Sequence, residues 1–211
     1  MEQWNVFTEW LKQRLQQPLP GYEAQRKMMN VNRPRVQQAP PGARQSGVLL
    51  LLYPDRGQAR MVLIERSADG GVHSGQIALP GGKKEDTDDS IVTTALREAA
   101  EEVALNAHQV EVIGQLTPLY IPVSNFIVNP VIAVTGEEPK LIPSEAEVAD
   151  ILKLPLPALF SVKEMVEVKA SGLDLTIRTI AYMLEDRRFI WGATAMILSE
   201  LETLLEESSL L

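Results

Sequence analysis

The 211-residue sequence contains no cysteine. That excludes a disulfide framework and any thiolate metal site, and it fits a reducing, cytoplasmic setting. Long apolar runs are also missing. None approaches the ~20 residues that span a bilayer, and the longest, Val48 to Tyr53, has the length of a strand. The start, Met1-Glu2-Gln3-Trp4-Asn5, lacks the basic and apolar regions of a secretory signal, and Ser209-Leu210-Leu211 is not a peroxisomal address. Excess positive charge is absent: the formal net charge is −8. A nucleic-acid partner calls for the opposite sign, so neither nucleic acid nor membrane is expected. There is no internal repeat, no low-complexity segment and no visible serine or cysteine triad.

What is present suits one globular domain with a full core and an N-terminal appendage, since 45% of residues are hydrophobic. Residues 1–46 read as a helix followed by an irregular arm, and residues 47–211 as the main domain. Phe7, Trp10, Leu11 and Leu15 recur at helical spacing within Asn5–Gln17, and Pro18 and Pro20-Gly21 end the run. Such a helix packs on the main body or on a second subunit, which is compatible with a homodimer. The arm after it shows no period. It carries Arg26, Lys27, Arg33, Arg35 and Arg44 with little acid, a local patch suited to phosphate.

Gly47–Tyr53 and Arg60–Arg66 read as strands about a Pro54-Asp55-Arg56-Gly57 turn. A glycine-rich loop over Ser67–Gln76 holds His73, and Ile77-Ala78-Leu79 is a short strand. Later strands are expected over Gln109–Leu116, Phe126–Val134 and Val148–Leu154, with Pro130 suggesting an edge or a bulge. Pro155–Phe160 reads as a short helix or turn. Met165–Lys169 and Leu175–Leu184 form a hairpin about Gly172, and Ala193–Glu207 is a final helix. Mixed strands and helices without regular alternation predict an α/β (α+β) domain, a central mixed sheet with helices on both faces.

Chemistry concentrates in one stretch, Pro80-Gly81-Gly82-Lys83 through Ala104-Leu105. A glycine turn opens it, and Asp86–Asp89 supply good N-cap residues for a helix. Val92, Leu96, Ala99 and Val103 share that helix's buried face. At about 100° per residue, Glu98 and Glu102 fall about 40° apart, and Glu101 about 60° from Glu98 on its other side. Three carboxylates thus form one stripe. Like charges at this spacing repel by a few tenths of a kcal/mol per pair, and a hard cation with oxygen ligands offsets that repulsion. Gly81-Gly82 allows close backbone approach to a ligand, and Arg97 can hold neighbouring carboxylates with its planar fork.

These residues resemble the signature of the Nudix hydrolases: Gly82, Arg97-Glu98, Glu101-Glu102 and Leu105 match it in order. Two positions depart. Asp89 stands for the earlier glutamate with one extra residue after Gly82, and Ala104 stands for the late glycine, where a positive φ would strain alanine. The flanks narrow the likeness. Leu63-Ile64-Glu65-Arg66-Ser67, Gly75 through Gly82, Glu147-Val148 before Pro155-Leu156, and Ile190-Trp191-Gly192-Ala193-Thr194-Ala195 are similar to the coenzyme A pyrophosphatase subfamily. Gly71 stands where that subfamily usually has arginine, and Leu79 where it usually has phenylalanine.

The resemblance implies an α/β/α sandwich and a pyrophosphohydrolase using Mg²⁺ or Mn²⁺. Glu98 and Glu102 would ligate the metal, Glu101 would complete the shell or orient water, and Arg97 would brace the carboxylates. Gly81, Gly82, Lys83 and Arg66 would meet the substrate's phosphates. Glu101, Glu145 or Glu147 would be the general base, with Glu147 favoured. The implied substrate is a nucleoside diphosphate derivative, first coenzyme A or acyl-CoA, split into adenosine 3′,5′-bisphosphate and (acyl-)4′-phosphopantetheine. ADP-ribose, a nucleotide sugar or a dinucleoside polyphosphate is the alternative. A reading of another class is a catalytically weak nucleotide-binding regulatory module, which Asp89, Gly71 and Ala104 keep open.

Overall fold

Apolar residues on both sides of a strand demand cover on both sides of the sheet. The computed structural model, which describes residues 2–30, 38–68, 74–169 and 176–208, meets that demand. In chain order its elements are α1 (Glu2–Arg14), α2 (Gly21–Gln25), β1 (Arg44–Asp55), β2 (Gln58–Arg66), β3 (Ile77–Ala78), β4 (Gly81–Lys83) and α3 (Ile91–Val103). There follow β5 (Glu111–Gln115), β6 (Leu119–Ile121), β7 (Phe126–Val134), β8 (Val148–Pro155), α4 (Leu156–Phe160), β9 (Lys163–Lys169), β10 (Thr176–Met183), β11 (Phe189–Ile190) and α5 (Gly192–Leu205).

The period-2 alternation of strands sorts the core into two halves. Leu49, Leu51, Tyr53, Val62, Ile64, Val131 and Ala133 face α3, meeting Ala95, Ala99 and Val103. Leu50, Leu52, Met61, Leu63, Ile132 and Val134 face the opposite layer, built from α1, α4 and α5. β1 and β7 run parallel, from Arg44 opposite Phe126 to Leu52 opposite Val134, while the other pairings are antiparallel. The sheet is therefore mixed and sandwiched between helices, as expected.

Pro130 does not mark an edge. β7 is central, flanked by β1 on one side and by β6 and then β5 on the other. Pro130 falls where the partner changes, between Val128 opposite β6 and Val131 opposite β5. Its missing N–H is tolerated there because its carbonyl alone is used, accepting from Leu116 N–H at 3.0 Å.

The N-terminal segment differs from an irregular arm. α1 begins at Glu2 and buries Trp4, Phe7 and Leu11, with Leu15 just after its end, in the same core cluster as α5. α2 and a 3₁₀ turn at Arg26–Met28 follow, too short for a visible period. They are tied to α5 through Glu200, which is fully buried. One Glu200 oxygen accepts from Gly21 N–H at 3.0 Å, Thr117 Oγ1 at 2.6 Å and Thr117 N–H at 3.3 Å, and the other accepts from Gln25 Nε2 at 2.8 Å. Four donors replace the water that this carboxylate gives up.

β9, β10 and β11 form a second, three-stranded antiparallel sheet. The expected turn about Gly172 lies outside the described residues. Arg188 fastens this sheet to the first, bonding Glu65 at 2.6 Å and Asp150 at 2.9 Å.

Candidate active site

α3 carries the site because its neighbours let it sit directly on the sheet. Gly47 makes this possible: a Cβ there would lie 2.8 Å from Ile91 O and 3.0 Å from Ala95 N. The helix is capped by Ser90, whose hydroxyl accepts from Thr93 N–H at 3.1 Å, and not by the preceding Asp86–Asp89 run. It ends at Ala104 in the left-handed conformation, φ 53° and ψ 35°. The position where glycine was missed thus keeps the tight exit, with alanine absorbing the strain.

Two glycines fit the loop against the helix. Gly81 has φ +151°, and a Cβ there would lie 2.6 Å from Val48 Cα and collide with Gly47 O. Gly82 packs on Glu98, and a Cβ there would come within 2.5 Å of Oε1. Backbone and carboxylate touch only because no side chain intervenes.

Glu102 is 1% exposed. Arg66 Nη1 bonds Oε1 at 2.9 Å and Gly81 N–H bonds Oε2 at 2.8 Å. Burial pushes this carboxyl up to about 7, with the charge of Glu98 adding to the rise against the Gly81 N–H and Arg66. Burial also raises Glu98; the charges of Glu101 and Glu147 add to the rise, and Arg97 opposes it. Glu98, Glu101, Glu102 and Glu147 therefore share one electrostatic neighbourhood.

Arg97 is its hub. It reaches Glu98 at 3.0 Å, Glu101 at 2.9 Å and the Lys83 carbonyl at 3.1 Å. It also grips Asp88 with two nitrogens, at 3.0 and 3.1 Å. Of the two aspartates before the helix, the one that meets Arg97 is thus Asp88, which is buried, and not the exposed Asp89. Asp88 further accepts from Glu85 N–H at 2.9 Å and Thr94 Oγ1 at 3.0 Å. Arg97 foremost, then the Glu85 N–H, hold its carboxyl well below the usual range. Two adjacent aspartates look alike in sequence; only their burial separates them.

The remaining expected residues distribute as follows. Lys83 is exposed at the rim and offers its carbonyl to Arg97. Arg66, one-third exposed, spends its guanidinium on Glu102, a pairing that the sequence did not signal. Glu147 is exposed in a turn held by its N–H to Ser144 O at 3.1 Å and by Ser67 N–H to its own carbonyl at 2.9 Å. Ser144 N–H bonds Glu102 O at 2.8 Å and Ile142 N–H bonds Val103 O at 3.0 Å, so this acidic loop is pinned across the end of α3. Glu145 is exposed in the same loop. Leu79 is buried in the core. Gly71 and His73 lie outside the described residues.

Among the described residues no three acids or histidines form a ready-made metal cluster, and Arg97 and Arg66 are paired with the carboxylates. The donor set is nonetheless hard oxygen, crowded enough that neighbouring carboxylate charge adds to the rise of Glu98 and of Glu102. That chemistry fits Mg²⁺ or Mn²⁺.

Compared with known families, residues 43–174 match the NUDIX domain. The chain belongs to the Nudix hydrolase family. It is similar to the Nudix hydrolase NudL of Pectobacterium atrosepticum, 38% identical over 141 residues, covering 67% of this chain and 72% of that protein. The NudL of Shigella flexneri serotype 5b is 35% identical over 173 residues, covering 80% and 86%. Among solved structures, the Nudix hydrolase RenU of M. smegmatis shares the fold at a TM-score of 0.50 and 19% identity, covering 85% of this chain and 92% of that one. As a Nudix hydrolase, the protein is an enzyme acting on nucleoside diphosphate derivatives. Among its described residues no helix is long and apolar enough to cross a membrane.

Proposed function

We propose that this Nudix hydrolase splits the diphosphate of coenzyme A or acyl-CoA into adenosine 3′,5′-bisphosphate and (acyl-)4′-phosphopantetheine. The observation that carries the chemistry is the contact of the glycine turn with the acidic stripe: Gly82 against the Glu98 carboxylate, and Gly81 N–H on Glu102. The choice of substrate rests on the likeness of residues 63–67, 75–82 and 190–195 to the coenzyme A pyrophosphatases.

Glu98 and Glu102 would hold the divalent cation, with Glu101 as a third donor. The cation's contribution is to neutralise diphosphate charge and to make the attacking water more acidic. Arg97 fixes Glu98 and Glu101 to the loop through Asp88 and Lys83 O. Lys83 and Arg66 would meet the substrate's phosphates. Glu147, exposed and unclaimed by Arg97, accepts the proton as water attacks phosphorus in line. Glu101 is the less available candidate, because Arg97 holds it at 2.9 Å.

Purified protein with Mg²⁺ or Mn²⁺ is incubated with coenzyme A, acetyl-CoA, ADP-ribose, a nucleotide sugar and a dinucleoside polyphosphate, and products are separated by chromatography. Preferred cleavage of the coenzyme A pair supports the proposal. Preferred cleavage of ADP-ribose or of another member replaces the substrate, and binding without turnover of any replaces the enzyme by a sensor.

A further inference from the structure

The three-stranded sheet ends in an open edge. β9 pairs with β10 on one side and, among the described residues, with nothing on the other. Met183 N–H donates to Val162 O at 2.9 Å, which sets the phase. Backbone groups of residues 162, 164, 166 and 168 turn toward β10, and those of Lys163, Met165, Glu167 and Lys169 turn outward. An exposed edge that also displays apolar side chains is a template for another strand. Here Met165 is 49% exposed and Val162 45%, two of the five most exposed large apolar residues described.

We propose that β9 pairs antiparallel with β9 of a second copy about a two-fold axis at Met165, joining two sheets into one of six strands. The register follows from charge. In a two-fold antiparallel pair one residue must face its own copy. Centring on Glu164 or Glu167 sets glutamate against glutamate. Centring on Val166 sets Lys163 against Lys169 twice. Centring on Met165 sets Lys163 against Glu167 twice, Val162 against Val168 twice, and Met165 against itself. Among the central positions of the strand, this register alone juxtaposes no like charges and two opposite ones. Its Met165 pair and its Lys163–Glu167 pairs are all outward-facing residues, the kind that exchange both N–H···O=C bonds. Lys163 is already held against α5, donating to Glu202 at 2.6 Å beside the Tyr182 ring. An ammonium has three donors, so two remain for the partner.

The absence of cysteine supplies the test. In an antiparallel hydrogen-bonded pair the Cα atoms are about 5.5 Å apart, within disulfide reach. Met165→Cys is expected to form a covalent dimer at least tenfold faster under mild oxidation than Val123→Cys, a 93%-exposed control. The unaltered protein at roughly 100 μM, where a micromolar complex is nearly complete, should scatter light with a mass near twice 23.4 kDa. Glu167→Lys turns both opposite-charge pairs into like ones and should weaken association at least tenfold while leaving the circular dichroism spectrum unchanged. A monomer at that concentration, equal cross-linking of the two cysteine variants, or a dimer indifferent to Glu167→Lys would each overturn the proposal.

Discussion

Gly81 and Gly82 are neighbours in one turn, yet an added methyl should act on each in a different way. At Gly82 a Cβ would lie 2.5 Å from Glu98 Oε1, against an ordinary contact beyond 3.4 Å. The obstacle is the tip of a flexible side chain, and the φ of Gly82 is open to any residue. Gly82→Ala should therefore fold normally, with a melting temperature within about 4 °C of the parent, while the Glu98 carboxylate retreats by about 1 Å. A displacement of that size in a catalytic group lowers turnover on the order of 10²-fold. The Mn²⁺ concentration giving half-maximal activity should rise in parallel. At Gly81 the obstacles are backbone, Gly47 O and Val48 Cα, at φ +151°. Gly81→Ala must move β1 or β4, a strain of about 2–3 kcal/mol. At about 2–4 °C per kcal/mol for a chain of this size, melting should fall by roughly 5–10 °C. Differential scanning calorimetry and a diphosphatase assay on both variants separate the two effects. If Gly82→Ala retained activity within threefold, or melted as low as Gly81→Ala, the reasoning from close approach would fail.

Other expectations follow from single contacts. Glu102→Gln should abolish turnover while the protein stays folded by circular dichroism; unchanged activity would remove Glu102 from the metal site. Ala104→Gly relieves a left-handed alanine worth about 1 kcal/mol and should raise the melting temperature by about 2–4 °C, whereas a fall would contradict the strain at φ 53°. Glu200→Ala strands the donors of Gly21, Gln25 and Thr117 and should lower stability by about 3 kcal/mol, read as a shift in the urea midpoint. Asp88 has its folded pKa depressed by Arg97, so its contribution is present above its unfolded value of 3.8 and is lost as pH falls through the folded value. The stability gap between the parent and Asp88→Asn should therefore narrow on acidification below roughly pH 4; a gap independent of pH would argue against the ion pair.

Where the sequence was legible, one physical rule dominated. Val48–Tyr53 is apolar on both sides, and it became a central strand covered by helices on both sides. Helical phase set Glu98, Glu101 and Glu102 on one stripe, and all three stand beside the glycine turn or its arginine. What escaped depended on partners distant in the chain. The role of Asp88 over Asp89 was decided by which carboxylate is buried against Arg97. Arg66 reads as a free cation until Glu102, on another element, is brought beside it. Pro130 suggested an edge or a bulge because sequence shows the missing N–H but not the change of partner that makes it harmless. α2 has five residues, too few for any period to register.

The Glu200 contact has a consequence for the order in which the chain assembles. It closes α2 and Thr117 onto α5, bridging 179 positions from Gly21 and 83 from Thr117. On a ribosome the first helices emerge long before residue 200, and until then their buried donors have no acceptor. The beginning of this protein should be the last part to become resistant to protease during synthesis, waiting for the helix made at the end.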